Sequence, residues 1–205
     1  GESDCDFIFI LDKKVTKGEK YLKTLTKIGE IAVKYLEDPL YSSLIDIEII
    51  GEDDLPSDNK KSLYSWTRAS NAKNGKALIG DNPFEKLKID NDKLKADAIC
   101  MAREFYEQMK DLVLYPPTDE YRGLYMVVDA VLGCACAYLY SKGETNFYRS
   151  NAVMVFEEKY KDKFNFEPLQ ISQRLRLAAK TVDTKDFIPK SLEFCRNVIT
   201  ELINN

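Results

Sequence analysis

Two aspartates stand directly before a short apolar run in the segment Ser3-Asp4-Cys5-Asp6-Phe7-Ile8-Phe9-Ile10-Leu11. The run at 7–11 consists of β-forming residues and is followed by Asp12, which predicts a buried strand. Side chains alternate between the two faces of extended backbone, so Asp4 and Asp6 point to the same side. The segment therefore predicts a strand with a pair of carboxylates at its start.

A second strand is predicted at 44–50, where the sequence reads Leu44-Ile45-Asp46-Ile47-Glu48-Ile49-Ile50. Asp46 and Glu48 alternate with isoleucines, so both acids share one face of this strand. If the two strands are neighbours in one sheet, Asp4, Asp6 and Asp46 converge. Glu48 is the alternative to Asp46 as the third carboxylate.

Carboxylates this close repel one another, and a bound cation favours their ionised form. Hard oxygen ligands suit Mg²⁺, so the arrangement predicts a magnesium site formed by Asp4, Asp6 and Asp46. Two structural interpretations compete with this one. An Asp-x-Asp before a strand is often an ordinary turn, and acids that alternate along a strand often form the solvated face of a sheet.

The rest of the chain is predicted to be mainly helical. Apolar residues recur at helical spacing over 16–38, at Leu22, Leu25, Ile28 and either Ile31 or Ala32, and predict a helix there. A weaker helix is predicted over 60–73. Further helices are predicted over 92–114, 119–142, 147–161, 168–182 and 185–203, and the helix over 119–142 is expected to stop at Gly143. Five helices with short connections indicate an antiparallel bundle. We therefore predict the α+β class, with a small α/β sheet domain over 1–88 followed by an all-α helical bundle over 89–205.

The composition excludes several functions. The chain has 205 residues, with 30 Lys and Arg, 34 Asp and Glu, and no histidine, which gives a net charge of −4. Ser-His-Asp catalysis, Cys-His catalysis and histidine metal sites are therefore excluded. An acidic balance without a basic block predicts neither strong nucleic-acid binding nor membrane binding. A hydrophobic share of 44% argues against intrinsic disorder.

Five cysteines without C-x-x-C spacing, and no signal peptide, predict a cytoplasmic protein with reduced thiols. The longest apolar stretch, 124–139, is interrupted by Asp129, and we expect no segment that spans a bilayer. Cys134 and Cys136 diverge on a helix, so packing is expected there rather than metal binding. Small residues over 130–137 allow close helix approach or a homodimer contact, so monomer and homodimer both stay open. Five aromatic residues are expected in the bundle core: Tyr121, Tyr125, Tyr138, Tyr140 and Phe147.

The order Ser3-Asp4-Cys5-Asp6, apolar strand, helix and Asp46 on a second strand resembles the polymerase-β-like nucleotidyltransferase superfamily. The segment Gly75-Lys76-Ala77-Leu78-Ile79-Gly80 is similar to the point where the chain of these enzymes enters the second domain. An all-helical second half is similar to the antibiotic-modifying, aminoglycoside-type adenylyltransferases and their relatives. In those relatives a basic residue follows a helix and a glycine, and here Lys142-Gly143 leads to Arg149, where a lysine is usual.

The resemblance implies a Mg²⁺-dependent transferase, with ATP as co-substrate, that moves AMP to a hydroxyl group of a small acceptor. The acceptor would be cationic, such as an aminoglycoside, which implies a role in antibiotic resistance. Asp4 and Asp6 would hold the metal against the phosphates. Asp46 would lie nearest the attacking hydroxyl, as a further metal ligand or as the general base.

Nucleotide contacts are implied for three further residues, Ser3, Lys142 and Arg149. A solvated helix end is the competing interpretation for Lys142 and Arg149. Family members also carry a Gly-Ser pair upstream of the paired aspartates, which holds the nucleotide phosphates. This sequence begins at Gly1, and a weaker hold on phosphates is expected if the pair is missing. The alternative function is a non-catalytic interaction module of the same fold, such as one component of a toxin–antitoxin pair.

Overall fold

The computed structural model describes residues 5–37, 45–56, 63–147, 149, 151–177 and 184–204. The chain divides into two compact units, which we call the sheet unit, Gly1–Ser65, and the helical unit, Trp66–Asn205. The described residues are mostly helical and include a small parallel sheet. This confirms the α+β class, while the nucleotidyltransferase fold within that class stays a prediction.

The sheet unit has a strand–helix–strand order. β1, Cys5–Leu11, and β2, Ile45–Gly51, pair in parallel, and α1, Gly18–Leu36, lies between them in the chain. A short 3₁₀ turn, Glu52–Asp54, follows β2. Parallel neighbours need a crossover connection of this length, which explains the helix between them. Both predicted strands are confirmed.

The helix α1 is amphipathic, and its inner face differs from the predicted one. Leu25, Ile28 and Ala32 are half-buried, at the i, i+3 and i+7 spacing of one helix face. Leu22 was expected on this face but is 65% exposed. The sequence left Ile31 and Ala32 as alternatives, and Ala32 is the residue that continues the inner face.

The helical unit contains α2, Trp66–Ala72; α3, Asn91–Leu114; α4, Glu120–Ser141; α5, Ala152–Tyr160; α6, Glu167–Leu177; and α7, Thr184–Asn204. Each corresponds to a predicted helix. The helix predicted from residue 147 begins at Ala152, because Phe147 is buried against Tyr140, with ring centroids 4.9 Å apart, before the helix starts. Parts of two predicted helices, at 60–62 and 178–182, lie outside the described residues.

The helix α4 is the centre of the helical unit. It packs against α3, α5, α6 and α7, and nearly every side chain over 127–140 is buried. A helix that is apolar on all sides belongs in such a position. Among the described residues, Arg122–Ser141 is long and apolar enough to cross a membrane, which corrects the expectation that no segment is. Most of this stretch is buried within the unit, and that burial accounts for its composition.

Small residues let α3 and α4 approach closely. A Cβ atom built on Gly133 would lie 2.1 Å from the ring of Phe105, so only glycine fits there. One residue further on, the thiol of Cys134 donates to the carbonyl oxygen of Ala102 at 3.8 Å. The small residues of α4 therefore serve contacts inside the unit. The expectation that the cysteines at 134 and 136 are packing residues is confirmed, since both are buried.

Aromatic side chains fill the space between α4, α5 and α7. Their rings stand 5.0 to 6.2 Å apart in mostly tilted or edge-to-face pairs, and they belong to Tyr138, Phe156, Tyr160, Phe164, Phe166 and Phe194. The expected core positions of Tyr138, Tyr140 and Phe147 are confirmed. The expectation for Tyr125 is wrong: it is 60% exposed, because it precedes the part of α4 that enters the core. The Tyr121 side chain lies outside the described part of the chain.

The end of α4 is set by Gly143, as predicted. Gly143 has φ +77°, a conformation that side chains disfavour, and its N–H donates to Tyr140 O at 2.9 Å. The N–H of Glu144 donates to Leu139 O at 3.0 Å. These two hydrogen bonds form a Schellman motif, which satisfies carbonyl groups in the last turn of the helix.

The helical unit begins at Trp66 and so includes residues 66–88 as well as the helices that follow. The backbone N–H of Trp66 donates to the carboxylate of Asp97, which caps α2 from a neighbouring helix. Lys93 places its Nζ 5.1 Å from the centre of the Trp66 ring. Asp90 caps α3 by accepting from the N–H groups of Asp92 and Lys93, each at 3.1 Å.

The segment 75–80, expected at the entry to the second domain, is a surface connection within the helical unit. Asn82 closes it, since its Nδ2 donates to Ala72 O at 3.1 Å and to Gly75 O at 3.0 Å. At the tip, Leu78 and Ile79 are 71% and 96% exposed.

Candidate functional site

Asp6 and Asp46 are direct partners in the parallel pairing of β1 and β2. Neighbouring strands lie about 4.8 Å apart, and paired residues project from the same face, so the two carboxylates stand side by side. Both residues are exposed. The two strands are neighbours in one sheet, which was the condition for these carboxylates to converge. Two negative charges at this spacing repel one another and favour a cation between them.

Glu48 lies two residues further along β2, on the same face as Asp46 but opposite Ile8. It is half-buried, and its Oε2 accepts a hydrogen bond from the hydroxyl of Tyr64 at 3.0 Å. Tyr64 is buried, and its backbone N–H donates to Asp54 O at 3.1 Å. Of the two acids that the sequence offered as the third carboxylate, Asp46 faces Asp6 and Glu48 is held by Tyr64.

Two predicted site residues, Ser3 and Asp4, lie outside the described residues. Among the residues that the structure describes, no group of three or more histidine, cysteine, aspartate or glutamate side chains could hold a metal ion. Mg²⁺ commonly binds through one or two carboxylates while keeping water and substrate phosphates as its other ligands. The donor chemistry of Asp6 and Asp46 therefore fits Mg²⁺.

Arg149 belongs to the helical unit, where it pairs with Asp129. Its Nη2 donates to the backbone oxygen of Asp129 at 2.9 Å and also contacts the Asp129 carboxylate. The side chain of Arg149 is 39% exposed, and its buried Nε has no hydrogen-bond partner within the described structure. A phosphate at this position would share the guanidinium with Asp129.

Lys142 also belongs to the helical unit and is the first residue after α4. It is exposed, and its Nζ lies 5.1 Å from the centre of the Tyr138 ring, a cation–π contact. The exposure of this side chain fits contact with an anionic ligand, and it fits a solvated lysine at a helix end equally well.

Tyr64 and Asp129 are the contacting residues that the sequence analysis missed. Asp129 gave a signal, because it is the charged residue that interrupts the apolar stretch 124–139 and a half-buried charge needs a partner. Nothing in the sequence around Tyr64 indicates its partner, since Glu48 lies 16 residues earlier.

A groove of about 630 Å³ lies in the helical unit between α3 and α4. Its α3 wall carries Glu104, Glu107 and Asp111, which share one face of the helix at i, i+3 and i+7. Glu107 pairs with Lys110 at 2.5 Å. Leu112, Pro117 and Met126 contribute apolar surface to the lining. Arg103 also lines the groove, so acidic and basic side chains are both present in its lining.

Comparison of the chain with protein-family models, with curated proteins and with solved structures finds no match.

Proposed function

We propose that the protein is a Mg²⁺-dependent nucleotidyltransferase that transfers AMP from ATP to a hydroxyl group of a small, cationic acceptor such as an aminoglycoside. The observation that carries this proposal is the direct pairing of Asp6 with Asp46 across two parallel strands. Two carboxylates side by side repel one another, and a divalent cation between them offsets this repulsion.

Each carboxylate has a separate proposed role. A bound Mg²⁺ ion would neutralise charge that develops on the α-phosphoryl group and on the departing pyrophosphate. Asp6, with Asp4, would hold the metal and the nucleotide at the start of β1. Asp46 would act as a further ligand or would accept the proton of the acceptor hydroxyl while the hydroxyl oxygen bonds to the α-phosphorus and pyrophosphate leaves. Positioning and electrostatic stabilisation would be the main contribution of the protein.

Ser3, Lys142 and Arg149 are the proposed contacts to the triphosphate. The accessible ammonium group supports this role for Lys142. Support for Arg149 is weaker, because Asp129 already occupies its Nη2. We therefore expect Lys142→Ala to reduce nucleotide affinity more than Arg149→Ala does.

The proposal is tested by titrating the full chain with ATP, with and without Mg²⁺, in a calorimeter. We expect Mg²⁺-dependent binding that falls in Asp6→Asn and in Asp46→Asn at least as much as the roughly ten- to hundredfold typical of losing an outer-shell partner of a metal. Glu30→Gln, which removes one exposed charge from α1, is the matched control and should bind like the unmodified chain. Binding that survives both aspartate substitutions would contradict the proposal.

The alternative is a non-catalytic interaction module of the same fold, such as one component of a toxin–antitoxin pair. The same titration distinguishes the two functions. A folded protein that binds no ATP in the presence of Mg²⁺ would overturn the enzyme and favour the interaction module.

A further inference from the structure

The groove between α3 and α4 carries a row of acidic side chains along one wall. Glu104, Glu107 and Asp111 are exposed and occupy the i, i+3 and i+7 positions of one face of α3. A helix rises about 1.5 Å per residue, so this row is about 10 Å long. Arg103 also lines the groove and directly precedes the row. A partner that pairs with the whole row is therefore elongated and carries positive charges at matching intervals.

Apolar surface lies beside this acidic row. Leu112, Pro117 and Met126 contribute to the lining of the groove, and Tyr115, which also lines it, is 77% exposed. Exposed apolar surface that is rimmed by polar residues marks many protein–protein interfaces. An amphipathic helix suits such a groove, because it places an apolar stripe in the groove and charged side chains along the edge.

The helix α1 of the sheet unit carries the same spacing with the opposite charges. Lys20, Lys23 and Lys27 are exposed and occupy the i, i+3 and i+7 positions of one face of α1. Glu19 directly precedes this row, as Arg103 precedes the acidic row of α3. All four charges are therefore inverted between the two helices, and the two rows have the same length.

The charges of both rows are available to a partner. Four of the six side chains have no ion-pair partner within the described part of the chain: Lys20, Lys27, Glu104 and Asp111. Lys23 pairs with Glu19 and Glu107 pairs with Lys110, in each case along the surface of one helix. Exposed pairs of this kind contribute little to stability, so they exchange readily for pairs with a second chain.

Two large side chains extend the lysine face of α1. Ile31 follows Lys27 at i+4, and Tyr35 follows Ile31 at i+4, so the three lie next to one another along the helix. Ile31 is 51% exposed and Tyr35 is 58% exposed. In addition to its half-buried inner face, α1 therefore presents an exposed face that is both basic and apolar.

We propose that the chain associates with a second copy of itself through these two surfaces, with α1 of one copy in the α3–α4 groove of the other. The lysine row of α1 pairs with the acidic row of α3, and Ile31 and Tyr35 cover the apolar lining of the groove. Each copy carries both surfaces, so the contact forms twice in a closed two-fold dimer.

Sedimentation velocity of the full chain over a wide range of protein concentration measures the association. We expect a monomer–dimer equilibrium that shifts towards the monomer as the salt concentration rises, because salt screens exposed ion pairs. The triple variant Lys20→Glu, Lys23→Glu, Lys27→Glu should raise the dissociation constant at least about tenfold, because like charges then face one another. Glu104→Lys, Glu107→Lys, Asp111→Lys should have the same effect.

An equimolar mixture of the two triple variants is the decisive sample. Each variant alone should stay monomeric, whereas the mixture should form a dimer, since every reversed row then meets a row of the opposite charge. The matched control is Lys76→Glu, Lys86→Glu, Lys88→Glu, which changes the net charge by the same amount at exposed positions outside both surfaces. This control should associate like the unmodified chain.

A single substitution tests the apolar part of the contact without reversing any charge. Ile31→Ser should weaken the association about threefold or more, because it removes apolar area that the contact buries. Leu22→Ser is the matched control: Leu22 is also exposed on α1, at 65%, but lies on the opposite face of the helix, and its substitution should leave the association unchanged.

Three results would overturn the proposal. The unmodified chain could remain monomeric at every concentration, which would leave the groove to a different occupant. A dimer that is insensitive to both triple variants would use another surface. Two triple variants that are folded by circular dichroism but do not associate when mixed would show that the two rows do not face one another.

Discussion

The sheet unit and the helical unit differ in how deeply they bury their apolar residues. In the helical unit a continuous cluster of buried side chains surrounds residues 127–140 of α4. In the described part of the sheet unit, the large apolar or aromatic side chains that are buried belong to Ile50 and Tyr64, while Phe9 and Leu22 are 43% and 65% exposed. Packing therefore stabilises the helical unit, whereas paired strands and a few side-chain contacts stabilise what is described of the sheet unit.

This difference matches the candidate roles of the two units. A carboxylate pair that binds a cation must remain accessible to water and substrate, because moving a charged group out of water is strongly unfavourable. The pair of Asp6 and Asp46 therefore suits a shallow surface and not a packed core. In the helical unit, the half-buried Asp129 is instead neutralised within the fold by Arg149.

The largest effect is expected from a cavity in the aromatic cluster of the helical unit. Phe156 is fully buried, and the centre of its ring lies 5.6 Å from that of Tyr138 and 6.0 Å from that of Phe194. Phe156→Ala should lower the free energy of unfolding by about 3–5 kcal/mol, through lost burial and the cavity left behind. Urea titration followed by the fluorescence of Trp66, the chain's one tryptophan and a buried residue of the helical unit, measures this loss.

Phe9→Ala provides the matched change in the sheet unit. Because Phe9 is 43% exposed, truncating its side chain should lower the free energy of unfolding by about 1 kcal/mol or less. Loss of the circular dichroism signal in urea measures this change. Equal losses of unfolding free energy in the two variants would mean that side-chain packing stabilises the sheet unit as much as the helical unit. The contrast between the units would then be wrong.

Substituting a helical glycine by alanine should change the stability by an intermediate amount, with opposite signs in the two units. Gly133→Ala forces a Cβ to within 2.1 Å of the Phe105 ring and should destabilise the helical unit by about 1–3 kcal/mol. Gly29 lies in α1, and a Cβ added there would meet no atom within 4 Å, so Gly29→Ala should stabilise the chain by up to about 1 kcal/mol through helix propensity. Thermal unfolding of both variants measures the two shifts. A neutral Gly133→Ala would show that α3 and α4 separate easily.

The elements of the fold were predictable from the sequence because local patterns determine them. Alternating and continuous apolar runs predicted both strands, helical periodicity predicted α3 to α7, and Gly143 predicted the end of α4. The boundary between the units was not predictable in this way. Trp66, the first residue of the helical unit, contacts Asp97, which lies 31 residues later, and Lys93 lies over the same ring.

The candidate site was predictable to a smaller extent. Alternation along β2 indicated that Asp46 and Glu48 share a face, but the pairing register that places Asp46 opposite Asp6 depends on how the two strands align. Glu48 accepts a hydrogen bond from Tyr64, a residue that a single sequence does not connect to β2. The partner of Arg149 is likewise a tertiary contact, although the isolated charge of Asp129 indicated that a partner was needed.

The smallest effect concerns the pH dependence of the helical unit. Burial raises the pKa of the Cys136 thiol from its ordinary 9.0 to about 11. The unfolded chain therefore loses this proton near pH 9, while the folded chain keeps it until about pH 11. The stability that the buried thiol contributes is present below pH 9 and is lost as the pH rises towards 11, by about 1 kcal/mol at pH 10.

Burial also raises the pKa values of Cys134 and Tyr140, so the unmodified chain should lose more stability than Cys136 alone accounts for. Cys136→Ala should reduce the loss between pH 8 and pH 10 by about 1 kcal/mol in urea titrations monitored by Trp66 fluorescence. Cys100→Ala, a change at an exposed thiol, should leave the loss unchanged. If both variants lose as much stability as the unmodified chain, the alkaline sensitivity does not arise from the buried thiol at 136. The contrast between the deeply packed helical unit and the sheet unit would then rest on the packing variants alone.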